Sequence, residues 1–170
     1  MKITEKQTNS RLCIICGMEN ELGVKAPFYN LDDGSVATIF EFKEVHQSYP
    51  GRAHGGMICA MLDELIGRAL WVNEKGTYAV TTEINVKYRK PVHYNQQLKA
   101  RGYIIKNSSR LYKGRGEIYS MDGILLAQAE ATYLKMPTKQ ISENAVVEDE
   151  MCYEIADNRV EIDFPPIKMD

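Results

Sequence analysis

Apolar positions crowd residues 57–72, where Asp63, Glu64, Gly67 and Arg68 are the only interruptions. A helix that is apolar nearly all round is a buried helix, not an amphipathic surface one. Residues 78–90 follow a different rule. Val80, Thr82, Ile84, Val86 and Tyr88 alternate with Thr81, Glu83, Asn85 and Lys87, the period of two of a half-buried strand, and Pro91 ends it. Residues 35–42 are β-branched and aromatic after Asp32-Asp33-Gly34, which predicts a strand after a turn. Further strand-like runs cover 97–106, 111–121 and 124–136. Asn107-Ser108-Ser109 separates the first two, and Asp122-Gly123 between the last two predicts a type I′ hairpin. One apolar helix and one antiparallel meander must bury each other, so the fold class is α+β. Beyond Pro137 the pattern changes: residues 141–155 are acidic with some helical spacing, and 159–166 read as extended.

Composition narrows the class. A chain of 170 residues, 44% hydrophobic and 26% charged, is an ordinary globular domain with enough core to fold alone. No apolar run is long enough for a bilayer, and the first eleven residues hold no signal core; a cytoplasmic protein with no membrane partner is expected. Four scattered cysteines do not make a secreted disulfide scaffold. Residues 137–170 carry nine acids and three bases, against fourteen and eighteen in the rest. A mildly basic body suits an anionic small ligand and lacks the dense basic stripe of a nucleic-acid binder.

The chemistry concentrates in residues 49–70, YPGRAHGGMICAMLDELIGRAL. His54, Gly55 and Gly56 form a turn running straight into the helix. A helix start offers unpaired N–H groups to an anion or oxyanion, and glycine lets a carbonyl approach them. Asp63 stands among Cys59, Ala60, Ile66 and Gly67 with no cation at helical spacing, and carboxylates are rarely buried without a partner. Glu64 has Arg68 four residues on, which reads as a surface ion pair. Cys13-Ile14-Ile15-Cys16-Gly17 has half the spacing of a zinc knuckle, but a structural zinc needs four ligands and no second pair follows. Packed, reduced thiols and no metal are the better reading.

These residues resemble the hotdog-fold acyl-CoA thioesterases, in the branch that includes the phenylacetate-pathway enzymes. The resemblance rests on His-Gly-Gly with an acid nine residues after the His, on residues 81–92 (TTEINVKYRKPV), similar to a Thr/Ser-x-x-x-Asn-x-x-Tyr-x-x-Pro segment, and on residues 129–136 (AEATYLKM). It implies a sheet of about five to six strands wrapped round one long central helix, over 25–136. Residues 1–24 form a lead-in with the CxxC, and 137–170 an acidic extension. The implied activity is hydrolysis of a small or medium acyl-CoA, aromatic or aliphatic, by a homodimer or a dimer of dimers, with no cofactor. Alternatives are a non-catalytic acyl-CoA-binding hotdog protein and a hotdog hydratase or dehydratase.

In that reading the Gly55 N–H holds the developing oxyanion, beside Gly56. Asp63 is general base or nucleophile, and His54 positions the turn more than it moves protons. Gln47 holds the thioester or the water, with Ser48, where related sequences carry Asn, as the neighbouring candidate. Thr81 falls on a family Ser/Thr position that could orient water or Asp63, yet strict alternation puts it on the solvent face with Glu83, Asn85 and Lys87. Arg89 and Lys90 are placed to meet coenzyme A phosphates. Gly56 and Asp63 are seven residues apart, about 10 Å along a helix, too far to act on one carbonyl. A shared site would then need two antiparallel helices across a twofold axis.

Overall fold

A computed structural model describes residues 1–142 and 147–166. Seven antiparallel strands form one sheet: β1 (Ile3–Lys6), β2 (Tyr29–Leu31), β3 (Val36–Glu41), β4 (Ala79–Tyr88), β5 (Gln97–Asn107), β6 (Leu111–Ser120) and β7 (Leu125–Lys135). Their order is β1-β2-β3-β5-β6-β7-β4, so the strand after the helix crosses to the far edge. The count exceeds the expected five to six because β1 and β2, from the lead-in and the segment after it, extend the sheet beyond β3.

Helix α1 (Gly55–Ala69) runs into a short 3-10 turn, Leu70–Val72. It begins two residues before its apolar run because the turn glycines are its first residues. Ile58, Met61, Leu62, Leu65, Ile66 and Ala69 are buried against the sheet. Glycines on the central strands let the helix approach this closely. A Cβ on Gly114 would lie 2.5 Å from Ile66 Cγ2, and one on Gly102 2.9 Å from the Leu65 carbonyl oxygen. Ala127, Ala129 and Ala131, all buried, continue the small-residue floor on β7.

The hairpin between β6 and β7 departs from the expected type I′ turn. The Gly123 N–H bonds the Ser120 carbonyl at 3.0 Å, and Gly123 has φ 82° whereas Asp122 is not left-handed. Type I′ needs positive φ at both central residues; a type I turn closed by a left-handed glycine needs it once.

The chain ends cover the face of the sheet away from α1. Ile162 and Phe164 are buried with Tyr29, Leu31, Ala37, Ile39 and Tyr119, and the extended tail bridges Lys2 through Glu161. Fully buried Arg101 donates to the Pro165 carbonyl at 3.0 Å and stacks over the Phe164 ring. A short helix at Val147–Glu150 falls in the stretch with helical spacing, and another, Thr138–Ile141, ends where that stretch begins; residues 143–146 lie outside the described residues. No helix among the described residues is long and apolar enough to cross a membrane.

Candidate active site

The helix start is organised by its cap. His54 has φ −65° and ψ 135°, and its Nδ1 accepts the Gly56 N–H at 2.9 Å. The Met57 N–H bonds the His54 carbonyl at 3.0 Å. Among the described residues only the Gly55 N–H is left without a partner in this turn, so Gly55, not Gly56, has an N–H free to donate. With Nδ1 accepting, the neutral imidazole carries its proton on Nε2. His54 therefore shapes the turn, and the Tyr88 hydroxyl donates to the Gly55 carbonyl at 2.9 Å.

His46 fastens this turn from behind. It is buried, its Nδ1 accepts the Lys43 N–H, its Nε2 meets the Leu22 carbonyl at 2.7 Å, and its own carbonyl accepts the His54 N–H. Gln47 follows at once and bridges Ala53 across the 47–53 turn. Its Oε1 lies 3.5 Å from the Tyr94 hydroxyl. The Ser48 N–H closes the same turn onto the Arg52 carbonyl. Arg89 and Lys90 follow Tyr88, exposed, with Arg89 Nε 3.3 Å from Gln128 Oε1. Gln47, His54, Gly55 and Gly56 are thus brought to one end of α1.

Asp63 lies two turns along the helix, in a different setting. Its Oδ1 accepts the Thr81 hydroxyl at 2.8 Å and the Tyr133 hydroxyl at 2.8 Å. Tyr133 also lies 2.9 Å from the Asp63 carbonyl and stacks on Tyr112, rings nearly parallel at 4.6 Å. Burial first, then the Asp63 charge, pushes the Tyr133 phenol well above its ordinary range, so it stays protonated and donates. This resolves the apparent isolation of Asp63: its partners come from across the sheet.

Thr81 corrects the strict-alternation reading. Thr81 pairs with Tyr133 and Glu83 with Thr132, so Thr82 is an extra residue in β4. The bulge reverses the parity. Ile84 and Val86 pack on the core as expected, while Thr81 joins the helix side, where Asp63 waits.

Asp63 opens on a cavity of about 280 Å3 whose lining includes Cys13, Cys16, Glu64, Trp71, Thr81 and Tyr133. Glu64 and Arg68 pair at 2.9 Å, but not on the surface. Arg68 is only 4% exposed, because the lead-in folds over it and the Thr8 carbonyl accepts from its Nη1 at 2.7 Å. The Cys13 thiol is pulled down to about 7, chiefly by a hydrogen bond from the Cys16 thiol, which is itself pushed up.

Tyr133, Tyr88 and His46 are the site residues that pattern reading passes over. Tyr88 carried a signal as the tyrosine of the Tyr-x-x-Pro segment, and so did Tyr133. Tyr133 follows Ala127, Ala129 and Ala131 on the helix-facing side of β7, and a buried tyrosine hydroxyl usually has a hydrogen-bond partner.

A sheet curled on one helix that starts in a His-Gly-Gly turn and carries a hydroxyl-clamped carboxylate is the arrangement of a hotdog domain. The thioesterase superfamily profile matches residues 50–127, from the turn before α1 into β7. A crystal structure of a thioesterase superfamily protein superposes with a TM-score of 0.67 and 26% identity, covering 72% of this chain and 63% of that one. The BH2602 protein of Bacillus halodurans, crystallised with CoA, gives a TM-score of 0.57 at 22% identity over 65% and 73% of the two chains. Human acyl-coenzyme A thioesterase 13 is 24% identical over 78 residues, 46% of this chain and 56% of its own length. The chain thus spans little more than half the length of that relative. The shared segment resembles the thioesterase superfamily, and the sheet and helix around it have the hotdog fold.

Proposed function

We propose that the protein hydrolyses a small or medium acyl-CoA thioester, at sites assembled between two copies of the chain. The unpartnered Gly55 N–H would receive the thioester carbonyl oxygen as it gains charge, an interaction worth several kcal/mol in such holes. Asp63, aligned by Thr81 and Tyr133, acts as general base on water or attacks directly. Gln47 positions the water or the thioester, and Arg89 and Lys90 meet the phosphates.

The observation that carries this reading is the split of the site along β4. Its first residues adjoin Asp63 through Thr81, and its last adjoins Gly55 through Tyr88. Within one chain the two groups are about 12 Å apart along the helix at ~1.5 Å per residue. Strand β4 is a sheet edge with Thr81, Thr82, Glu83, Asn85 and Lys87 exposed. An antiparallel pairing of two β4 edges about Ile84–Asn85 would lay the Tyr88 and Gly55 end of one copy beside the Thr81 and Asp63 end of the other. The half-open stripe Gly56, Cys59, Ala60 and Asp63 on α1 supports the same arrangement. That stripe is the side on which an otherwise apolar helix lacks a full cover in a single chain. A homodimer is the smallest assembly that fits, and a dimer of dimers preserves it.

The test is thiol release from a panel of aromatic and aliphatic acyl-CoA esters by wild type and by Asp63→Asn. The variant keeps the shape and removes the base. Its kcat should fall by about 10² to 10⁴ with KM little changed. Near-normal turnover in Asp63→Asn would contradict the assignment. Tight acyl-CoA binding with no thiol released on any ester would make the protein a binding module instead.

A further inference from the structure

The CxxC of the lead-in acquires a third partner that sequence spacing does not show. Cys13 Sγ, Cys16 Sγ and one carboxylate oxygen of Glu64 all lie within 4.8 Å of one another. Cys13 Sγ and Glu64 Oε2 are 3.7 Å apart. A tetrahedral zinc with bonds of ~2.3 Å to sulfur and ~2.1 Å to oxygen has an S···O edge of roughly 3.6 Å. From the geometry of this cluster we infer that the protein binds zinc through Cys13, Cys16 and Glu64, with a fourth position open to the cavity that Asp63 also lines.

The backbone of the loop is already arranged as a thiolate-holding knuckle. The Ile15 N–H and the Cys16 N–H both point at Cys13 Sγ, at 3.3 and 3.5 Å. Donors of this kind favour the anionic form that a metal requires. Gly17 closes the knuckle, its N–H on the Cys13 carbonyl at 2.8 Å. A Cβ there would sit 2.4 Å from that oxygen, so only glycine fits after the second cysteine. The Ser10 hydroxyl lies 3.2 Å from Cys16 Sγ and supports it from the other side.

The surrounding charges also suit a divalent metal. Arg68 Nε holds Glu64 Oε1 at 2.9 Å, leaving Oε2 turned toward Cys13. Arg68 also interacts with Cys16, yet its Nη2 is buried with no hydrogen-bond partner. A Cys16 thiolate would supply an acceptor for that orphaned donor. Zinc, two thiolates, one carboxylate and one guanidinium sum to zero, which is what a buried site needs. Two thiolates and a carboxylate select zinc over the harder magnesium or calcium. No fourth protein ligand joins the group among the described residues, so water from the cavity takes the remaining position, as in zinc sites with three protein ligands. The metal would tie the lead-in to α1 one residue from Asp63.

The full chain, reduced and stripped with a chelator, is titrated with zinc and with cobalt(II). One metal should bind per chain. Cobalt should give the near-ultraviolet charge-transfer absorption of thiolate ligation, and zinc should raise the thermal midpoint. Cys13→Ser and Cys16→Ser should lose the cobalt absorption, whereas Cys59→Ser and Cys152→Ser keep it. Glu64→Gln should keep the fold and weaken zinc binding about tenfold or more. Reduced wild type that takes up no cobalt overturns the proposal, as does a purified protein whose Cys13 and Cys16 form a disulfide and whose reduced form ignores both metals. Zinc binding by Glu64→Gln as tight as wild type would remove the carboxylate from the site and equally refute it.

Discussion

Asp63 has two neutral hydroxyl donors on one oxygen, and the two are not equivalent. Thr81 comes from an exposed edge strand, while Tyr133 is held by stacking on Tyr112 and by burial. Tyr133 therefore fixes the carboxylate, and Tyr133→Phe tests this. Loss of one hydrogen bond of about 1 to 1.5 kcal/mol should lower kcat roughly tenfold and leave KM nearly constant. A hydroxyl that served only stability would shift the thermal midpoint and leave kcat alone. The odd placement of Asp63 was legible because a carboxylate without a cation stands out in an apolar helix. Of its partners, Thr81, 18 positions away, was suggested by the resemblance alone, because strict alternation without the bulge put it on the solvent face; Tyr133, 70 positions away, was not legible. Glu64 and Arg68 were legible as a pair but misjudged as surface, because nothing in their spacing reveals that the lead-in covers them.

At the scale of elements, the match between α1 and the sheet is steric. Gly114→Ala would press a methyl against Ile66, a β-branched side chain with few alternative rotamers. It should cost about 1–3 kcal/mol, read as a lower denaturant midpoint. Gly67→Ala is the opposite case. It lies inside α1 with nothing near the added Cβ, so the gain in helix propensity should stabilise by about 0.5–1 kcal/mol. Equal effects of the two substitutions would contradict the close approach of helix and sheet. The helix was readable from its nearly unbroken apolar run, β4 from its period of two, and the other strands from β3 to β7 from strand-like runs set between turn signals, to within a residue or two at most ends. The short β1 and β2 were not, because three- and four-residue strands leave too little pattern. The Asp-Gly signal marked the β6–β7 turn correctly in place but not in type, since a single left-handed glycine satisfies either sequence preference.

For the whole molecule, the candidate residues fall into two half-sites at opposite ends of β4, and the proposed hydrolysis requires that they meet across a twofold axis. Complementation between two lesions tests that most directly. Gly55→Pro removes the one unpartnered N–H of the turn. It should fold, because Gly55 is the first residue of α1, where proline is favoured, and His54 already has the extended backbone that precedes proline. Asp63→Asn removes the carboxylate. Each homodimer should be inactive toward acyl-CoA. After subunit exchange, each heterodimer would hold one site with both lesions and one with neither, and activity should return toward one intact site per dimer. Verified heterodimers that release no thiol, or an active enzyme that sediments as a monomer, would contradict a shared site and return Gly55 and Asp63 to separate tasks within one chain.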